Sequence, residues 1–293
     1  KRNGRLAVAD LFKGTLSDEC KVLDPRVGEK IILLRILLQS LSVSDRIPQL
    51  EIATTNNRVA IVIRHLSPLS PADYSTLRGF GLKHKIDFYL QSEGMDSILA
   101  LDQTFGSLSY QVEDIQISFS PTDFTQVNAG VNEAMIAKVI SLLDINEKDF
   151  ILDLFCGIGN FSLPIAMQGA RVRGVELDKA MVKRAKENAN INGINNCYFE
   201  SLNLASLSDI ESLDIRWANK MLLDPPRSGC NEMLSEMSLK KVEKVVYVSC
   251  NPITFARDAG ILNVLHGFEL KEVGILDMFP HTSHFECIGS FER

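Results

Sequence analysis

The residue best placed to do covalent chemistry is Cys250. It follows an apolar run, Val245-Val246-Tyr247-Val248, and precedes Asn251-Pro252. A β-branched and aromatic run of this kind reads as a strand buried on both faces. Pro252 has no N–H to give a sheet, so it stops the strand, and it suits the first turn of a helix. Cys250 is thereby expected at the carboxyl end of a central parallel strand, where ligands bind in open α/β sheets. A thiol there can act as a nucleophile, although a buried structural cysteine reads equally well from this residue alone.

Carboxylates fall at similar strand ends. Asp224 ends an apolar stretch and is followed by Pro225-Pro226-Arg227, which fixes the exit path of the chain. Asp224 and Cys250 are expected at the ends of neighbouring strands, within reach of one ligand. Earlier comes Asp153-Leu154-Phe155-Cys156-Gly157-Ile158-Gly159-Asn160-Phe161, a strand-to-helix turn whose glycines permit close backbone approach to a ligand. A third glycine is missing, so this is not the full dinucleotide fingerprint. Glu176 ends the next strand, where an acidic side chain can accept from ribose hydroxyls. Loop and acid together point to a nucleoside cofactor without separating NAD from S-adenosylmethionine (SAM).

Two further segments hold reactive groups. Residues 277–287 connect the last two strands and carry His281, His284, Glu286 and Cys287. No second His or Cys cluster is close in sequence to complete a metal site, so the histidines are expected to hydrogen-bond the loop, and Glu286 is a candidate base. Residues 118–128 include Phe124, Gln126 and Asn128, which reads either as a helix-entry loop or as a contact to a base.

The elements that must position these groups follow from the patterning. From residue 150 strands and helices alternate. Strands are expected at 150–155, 171–176, 197–200, 220–224 and 244–249, with helices at 161–168, 179–192, 231–237 and 254–265. That alternation predicts an α/β, Rossmann-like, doubly wound and mostly parallel sheet. Residues 268–276 and 285–291 have no helix between them and complete it as an antiparallel hairpin at one edge. A helix over 128–143 precedes the sheet. Residues 1–118 form a small α+β domain in this reading and 119–293 the catalytic domain. In the first domain, helices are expected at 24–42 and 70–80. Strands are expected at 5–10, 49–54, 58–65, 86–91, 97–101 and 115–120.

Composition sets outer bounds. Hydrophobic residues make up 45% and charged residues 23%, as in ordinary globular proteins. A net charge of −6 gives no global attraction to polyanions, so a nucleic-acid partner needs a local basic patch; 78–85 and 240–244 are the candidates, each also readable as a solvated charged face. No apolar stretch is long enough to span a bilayer. The six cysteines, at 20, 156, 197, 230, 250 and 287, show no CxxC pair, which suggests a reducing cytoplasm. A chain that starts Lys1-Arg2-Asn3 is expected to be part of something longer.

Taken together, 119–132, 153–161, Glu176, 223–227, 248–252 and 277–286 resemble the SAM-dependent RNA uracil-5-methyltransferases. The resemblance spans essentially the whole chain, and its wording is closest to the branch that acts on large-subunit (23S) ribosomal RNA. It implies a SAM site of Gln126, Phe155, Asn160, Glu176, Asn203 and Asp224, with Cys250 as nucleophile and Glu286 as the proton-abstracting base. It implies a monomer with RNA as partner and no membrane. Family members of this branch also carry an N-terminal OB-like domain, not visible here, and an iron–sulfur cluster. Cys20 matches one ligand of that cluster, the others lying outside this chain, so the cluster is expected only in the full-length protein. The Cys250 thiol before a helix N-terminus is expected to favour thiolate. Phe124 is the candidate to pack on a flipped base. Three other readings stay open: a transfer-RNA enzyme of the same family, a non-catalytic RNA-binding module, and an NAD oxidoreductase. The last has no use for the Ser-Cys-Asn-Pro turn.

Overall fold

The computed structural model describes residues 23–94, 97–102, 106–278 and 284–293. The chain divides into two compact units, Lys1–Tyr110 with Ser118–Asp123, and Gln111–Ile117 with Phe124–Arg293.

The first unit opens with two helices, α1 (Pro25–Gly28) and α2 (Ile31–Ser40), where the periodicity predicts one continuous helix. The break has a local cause. Asp24 caps α1 at the Arg26 N–H, and at the other end the Lys30 N–H turns to the Val27 carbonyl at 2.9 Å, leaving the Arg26 carbonyl to the Lys30 ammonium. A four-stranded sheet follows in the order β1 (Gln49–Thr54), β2 (Val59–Arg64), β3 (Asp87–Gln91), β4 (Ile98–Ala100). The β2–β3 pair is parallel because α3 (Pro71–His84) crosses between them. A capping box of Ser70 and Asp73 starts α3, and Lys85 ends it in the left-handed region at φ 56°. The helix runs beyond its expected end at residue 80. Leu34, Leu38, Ile61, Ile63, Leu77 and Phe88 fill the core of this unit.

A hairpin, β5 (Leu108–Val112) and β6 (Ile115–Phe119), spans the division between the units. Only its second strand is legible in the sequence, since Leu108-Ser109-Tyr110-Gln111-Val112 alternates weakly.

The second unit begins with α4 (Ala129–Leu143), capped by Asn128, whose side chain accepts from the Val131 N–H. Its seven strands are β7 (Phe150–Leu154), β8 (Arg171–Glu176), β9 (Cys197–Ser201), β10 (Lys220–Leu223), β11 (Lys244–Ser249), β12 (Glu269–Leu276) and β13 (Glu286–Glu292). They form one sheet in the order β12-β13-β11-β10-β7-β8-β9. Helices α5 (Ser162–Met167), α6 (Lys179–Ile191), α7 (Leu207–Ser212), α8 (Asn231–Glu236) and α9 (Pro252–Val264) make the connections. Helix α7 is not among the helices expected from the sequence. Pairs β7–β8, β8–β9, β7–β10 and β10–β11 are parallel, while β13 is antiparallel to both β11 and β12. The last hairpin therefore sits with β12 on the edge and β13 inside, against β11. The order reverses between β7 and β10, whose carboxyl ends lie side by side. That is the switch point at which doubly wound sheets take ligands.

Candidate functional site

The turn after β7 is held by the end of β8. The N–H groups of Phe155 and Cys156 both donate to the Val175 carbonyl on β8, at 2.8 and 3.1 Å. The Gly157 N–H donates to Glu176 Oε2 at 3.1 Å, and Glu176 Oε1 accepts from the Asp178 N–H at 3.0 Å. Three residues of the turn lie at positive φ: Phe155 at 68°, Gly157 at 56° and Gly159 at 92°. A non-glycine residue held there is strained, and such strain concentrates at functional sites. The two glycines serve different ends. A Cβ on Gly157 would meet nothing within 4 Å, so that face of the turn is open. One on Gly159 would lie 3.2 Å from Leu163 and 3.3 Å from Phe199. Beneath the turn Asp153 is fully buried and accepts from the Ser162 hydroxyl. Burial pushes its carboxyl up to about 7, against that hydrogen bond, and the nearby Glu176 charge adds to the rise.

A second group gathers at the ends of β10, β11 and β13. The Asp224 N–H donates to the Leu154 carbonyl at 3.3 Å, carrying the β7–β10 pairing one step past the strands. Ser249 on β11 pairs with Cys287 on β13, so the next step of the antiparallel register sets Cys250 across from Glu286. Cys250 is half-buried and Glu286 only 5% exposed. Burial pushes the Glu286 carboxyl up to about 7, with Arg227 pulling the other way. Burial also pushes the Asp224 carboxyl well up, helped by Glu286 and Asp153. The Cys250 thiol is raised too, by burial first and then by Glu286; Arg227 opposes them.

That last direction corrects the expectation of a thiolate favoured by the helix N-terminus. The Asn251 side chain already accepts from the Ile253 N–H at 3.1 Å, and two carboxyls lie near the sulfur. Burial and the neighbouring carboxyls raise the thiol above its ordinary value. Arg227 is the cation that counters both, and its position is fixed through its backbone. Its carbonyl accepts from Asn251 Nδ2 at 3.0 Å and from the Thr254 hydroxyl at 3.3 Å. Its Nη2 stands 3.3 Å from His284 Nδ1.

The family model for tRNA (Uracil-5-)-methyltransferase matches residues 33–293. The chain belongs to that family. A protein of Francisella tularensis subsp. holarctica (strain OSU18), named 23S rRNA (uracil(1939)-C(5))-methyltransferase RlmD, is 46% identical over 299 residues. The match covers all of this chain and 65% of that protein. A Nitrosococcus oceani protein of the same name is 44% identical over 302 residues, covering all of this chain and 67% of its own length. The chain thus spans about 65% of the length of curated relatives it matches. Among solved structures, Pyrococcus abyssi tRNA (uracil-54, C5)-methyltransferase in complex with S-adenosyl-L-homocysteine aligns with a TM-score of 0.73 at 22% identity. That alignment covers 94% of this chain and 69% of the other, and it shows a shared SAM-methyltransferase fold.

Like other doubly wound sheets, this family member places its candidate groups around the switch point. The residues fit a nucleoside cofactor. The open face of Gly157 lies beside Glu176, whose two oxygens each accept one backbone N–H and keep a further lone pair for a ligand. Gln126 is half-buried in the segment before α4, Asn203 is exposed after β9, and Phe124 is 62% exposed. The sequence reading gave no role to Arg227, although it closes the quoted Pro-Pro turn, and none to the buried Asn132 and Asn188. Cys20 and His281 lie outside the described residues. Among the described residues no three His, Cys, Asp or Glu side chains group as a metal site. No described helix is long and apolar enough to cross a membrane.

Proposed function

We propose that this protein methylates C5 of a uridine in 23S ribosomal RNA, with SAM as methyl donor. The observation that carries the reading is the approach of Cys250, the residue after β11, to Glu286 at the start of β13, beside Asp224 at the sheet's switch point. Glu176, Phe155, Asn160, Gln126, Asn203 and Asp224 would hold SAM, with the ribose on Glu176. When bound, SAM supplies an electrophilic methyl group.

C5 of uracil is a poor nucleophile, so the chain must enrich it. Cys250 Sγ, as thiolate, bonds to C6 and moves the C5–C6 electron pair to C5. C5 would then take the methyl group as the sulfonium S–CH3 bond breaks, its electron pair staying on the sulfur of S-adenosylhomocysteine. Glu286 removes the C5 proton, the C5–C6 double bond re-forms and Cys250 leaves with the electron pair of its C–S bond. Arg227 favours the anionic forms of both groups. A carboxyl poised near 7 accepts and releases a proton readily at neutral pH. The target base has to leave its stack to reach this end of the sheet, and exposed Phe124 gives it a ring to pack on. The first unit serves as an RNA contact in this reading. In the full-length protein Cys20 would be one thiolate of an iron–sulfur cluster, which iron content and visible absorption of anaerobic protein would test.

The deciding experiment incubates full-length protein with SAM and either undermodified 23S ribosomal RNA or transfer RNA, scored for 5-methyluridine. Methylation of the ribosomal RNA at one uridine supports the reading. Methylation of transfer RNA alone moves the substrate to that branch of the family, and methylation of neither sinks the enzyme reading.

A further inference from the structure

Asn132 and Asn188 are two buried asparagines that the proposed chemistry does not use. Asn132 lies in the first turns of α4 and is 3% exposed; Asn188 lies near the end of α6 and is fully buried. Both reach the glycine turn after β7. Asn132 Nδ2 donates to Asn160 Oδ1 at 3.0 Å, and Asn160 Nδ2 donates back to Asn132 Oδ1 at 2.9 Å. From the other side Asn188 Nδ2 donates to the Ile158 carbonyl at 3.1 Å. The turn is therefore gripped at alternate residues by side chains from two helices that flank it in sequence.

The chemistry of the first grip is specific. An amide has a donor end and an acceptor end, and a reciprocal pair is satisfied only while the two amides keep matched orientations. Asn132 thus holds the Asn160 amide in the plane of the pair and keeps it from turning over alone. Helix α4 is itself fixed at its start by the Asn128 cap, two residues after Gln126. One helix start thereby sets both Gln126 and the Asn160 amide.

We propose that Asn132 and Asn188 are positioning residues for the cofactor turn: Asn132 fixes the orientation of the Asn160 amide toward SAM, and Asn188 fixes the height of the Ile158 carbonyl between the two glycines. The inference rests on the reading of this turn as the SAM site. Neither asparagine touches the cofactor. Each acts by making the turn's geometry available before binding, so the cofactor need not bear the cost of ordering it.

The test is a double-mutant cycle on the affinity of full-length protein for S-adenosylhomocysteine, measured by calorimetry. Asn132→Ala should weaken binding about tenfold, the scale of one hydrogen bond. Asn160→Ala should do at least as much. The double variant should be no worse than Asn160→Ala alone, because Asn132 acts only through Asn160. Asn132→Asp guards against a folding defect: assayed at alkaline pH, where its carboxyl is ionised, it is near-isosteric and still accepts from Asn160 Nδ2 yet cannot donate to Asn160 Oδ1, so it should fold and still lose affinity. Asn188→Ala should add its loss independently of the Asn132 pair. Unchanged affinity in the folded Asn132→Asp protein, or losses from Asn132→Ala and Asn160→Ala that multiply in the double variant, would overturn the proposal. If the native protein binds no S-adenosylhomocysteine, the cofactor reading fails first and this inference falls with it.

Discussion

Cys250 and Glu286 face each other across two antiparallel strands, one register step beyond the Ser249–Cys287 pair. The arrangement depends on β13 lying inside the sheet rather than at its edge. With β12 against β11 instead, the carboxylate would be a strand farther from the thiol. The terminal hairpin thus does more than close the sheet: it brings the Glu286 carboxyl beside Cys250, where its charge adds to the burial that raises the thiol's proton affinity.

Cys250→Ala should abolish methyl transfer while S-adenosylhomocysteine still binds, since the thiol belongs to the strand-end group and not to the glycine turn. RNA carrying 5-fluorouridine, which has no C5 proton to lose, should trap a covalent complex with the native protein and none with the variant. Retained methylation by the variant would make Cys250 structural.

Glu286→Gln should allow attack and methyl transfer but stall proton removal, so methylated RNA–protein adduct accumulates on denaturing gels. The pH dependence has a definite sign. Below about 7 the Glu286 carboxyl is protonated and cannot accept the C5 proton; above it, it can. Adduct decay in single-turnover experiments should therefore rise through pH 7 and level off. The same raised carboxyl means that the native state binds this proton more tightly than the unfolded chain. Its contribution to stability is largest below the ordinary carboxylate range and falls as pH climbs through about 7, by roughly 3 kcal/mol. Glu286→Gln should flatten that part of the unfolding profile. A profile identical to the native one would deny the carboxyl its raised proton affinity.

Arg227→Ala should shift adduct formation to higher pH, because the guanidinium lowers the proton affinity of both Cys250 and Glu286. Arg227→Lys should restore part of the shift. The charge remains while the contact with His284 changes. The pH midpoint of 5-fluorouridine trapping reads this directly. An unmoved midpoint in Arg227→Ala would show that the cation does not reach the thiol.

The parallel strands and the Ser-Cys-Asn-Pro turn were legible because each is written locally: a short β-branched run, then a residue that forbids its continuation. What the sequence hid has physical causes. The break between α1 and α2 turns on one backbone N–H, that of Lys30, bonding to Val27 in place of Arg26. The Asn132–Asn160 pair joins residues 28 apart, and nothing in either neighbourhood announces the other. The direction of the thiol's shift was misread because a helix N-terminus is visible in sequence, whereas burial beside two carboxyls is a tertiary property.

The turn that carries Arg227 has its own support, and it gives the last prediction. Behind it, fully buried Asp258 accepts through Oδ2 from the Tyr247 hydroxyl at 2.7 Å and from the Cys230 N–H at 2.8 Å. Its Oδ1 accepts from Arg257 Nε at 2.8 Å, and Arg257 Nη2 donates to the Ser228 carbonyl at 2.8 Å. The buried carboxylate is thus bonded on both oxygens and tied through Arg257 to the residue next to Arg227. Tyr247→Phe removes one charge-assisted bond and strands only the weak Cys230 S–H donor, and should cost about 2 kcal/mol. Asp258→Ala strands the Tyr247 hydroxyl, the Cys230 N–H and Arg257 together, and should cost clearly more. Urea unfolding measures both. Activity should separate them further. Tyr247→Phe leaves the Arg257–Ser228 tie in place and should keep its kcat. Asp258→Asn holds the volume but weakens the grip on Arg257, so it should lower kcat with KM for SAM nearly unchanged, since the glycine turn lies on the other side of the switch point. Equal kcat in Asp258→Asn and native protein would show that Arg227 keeps its place without this network.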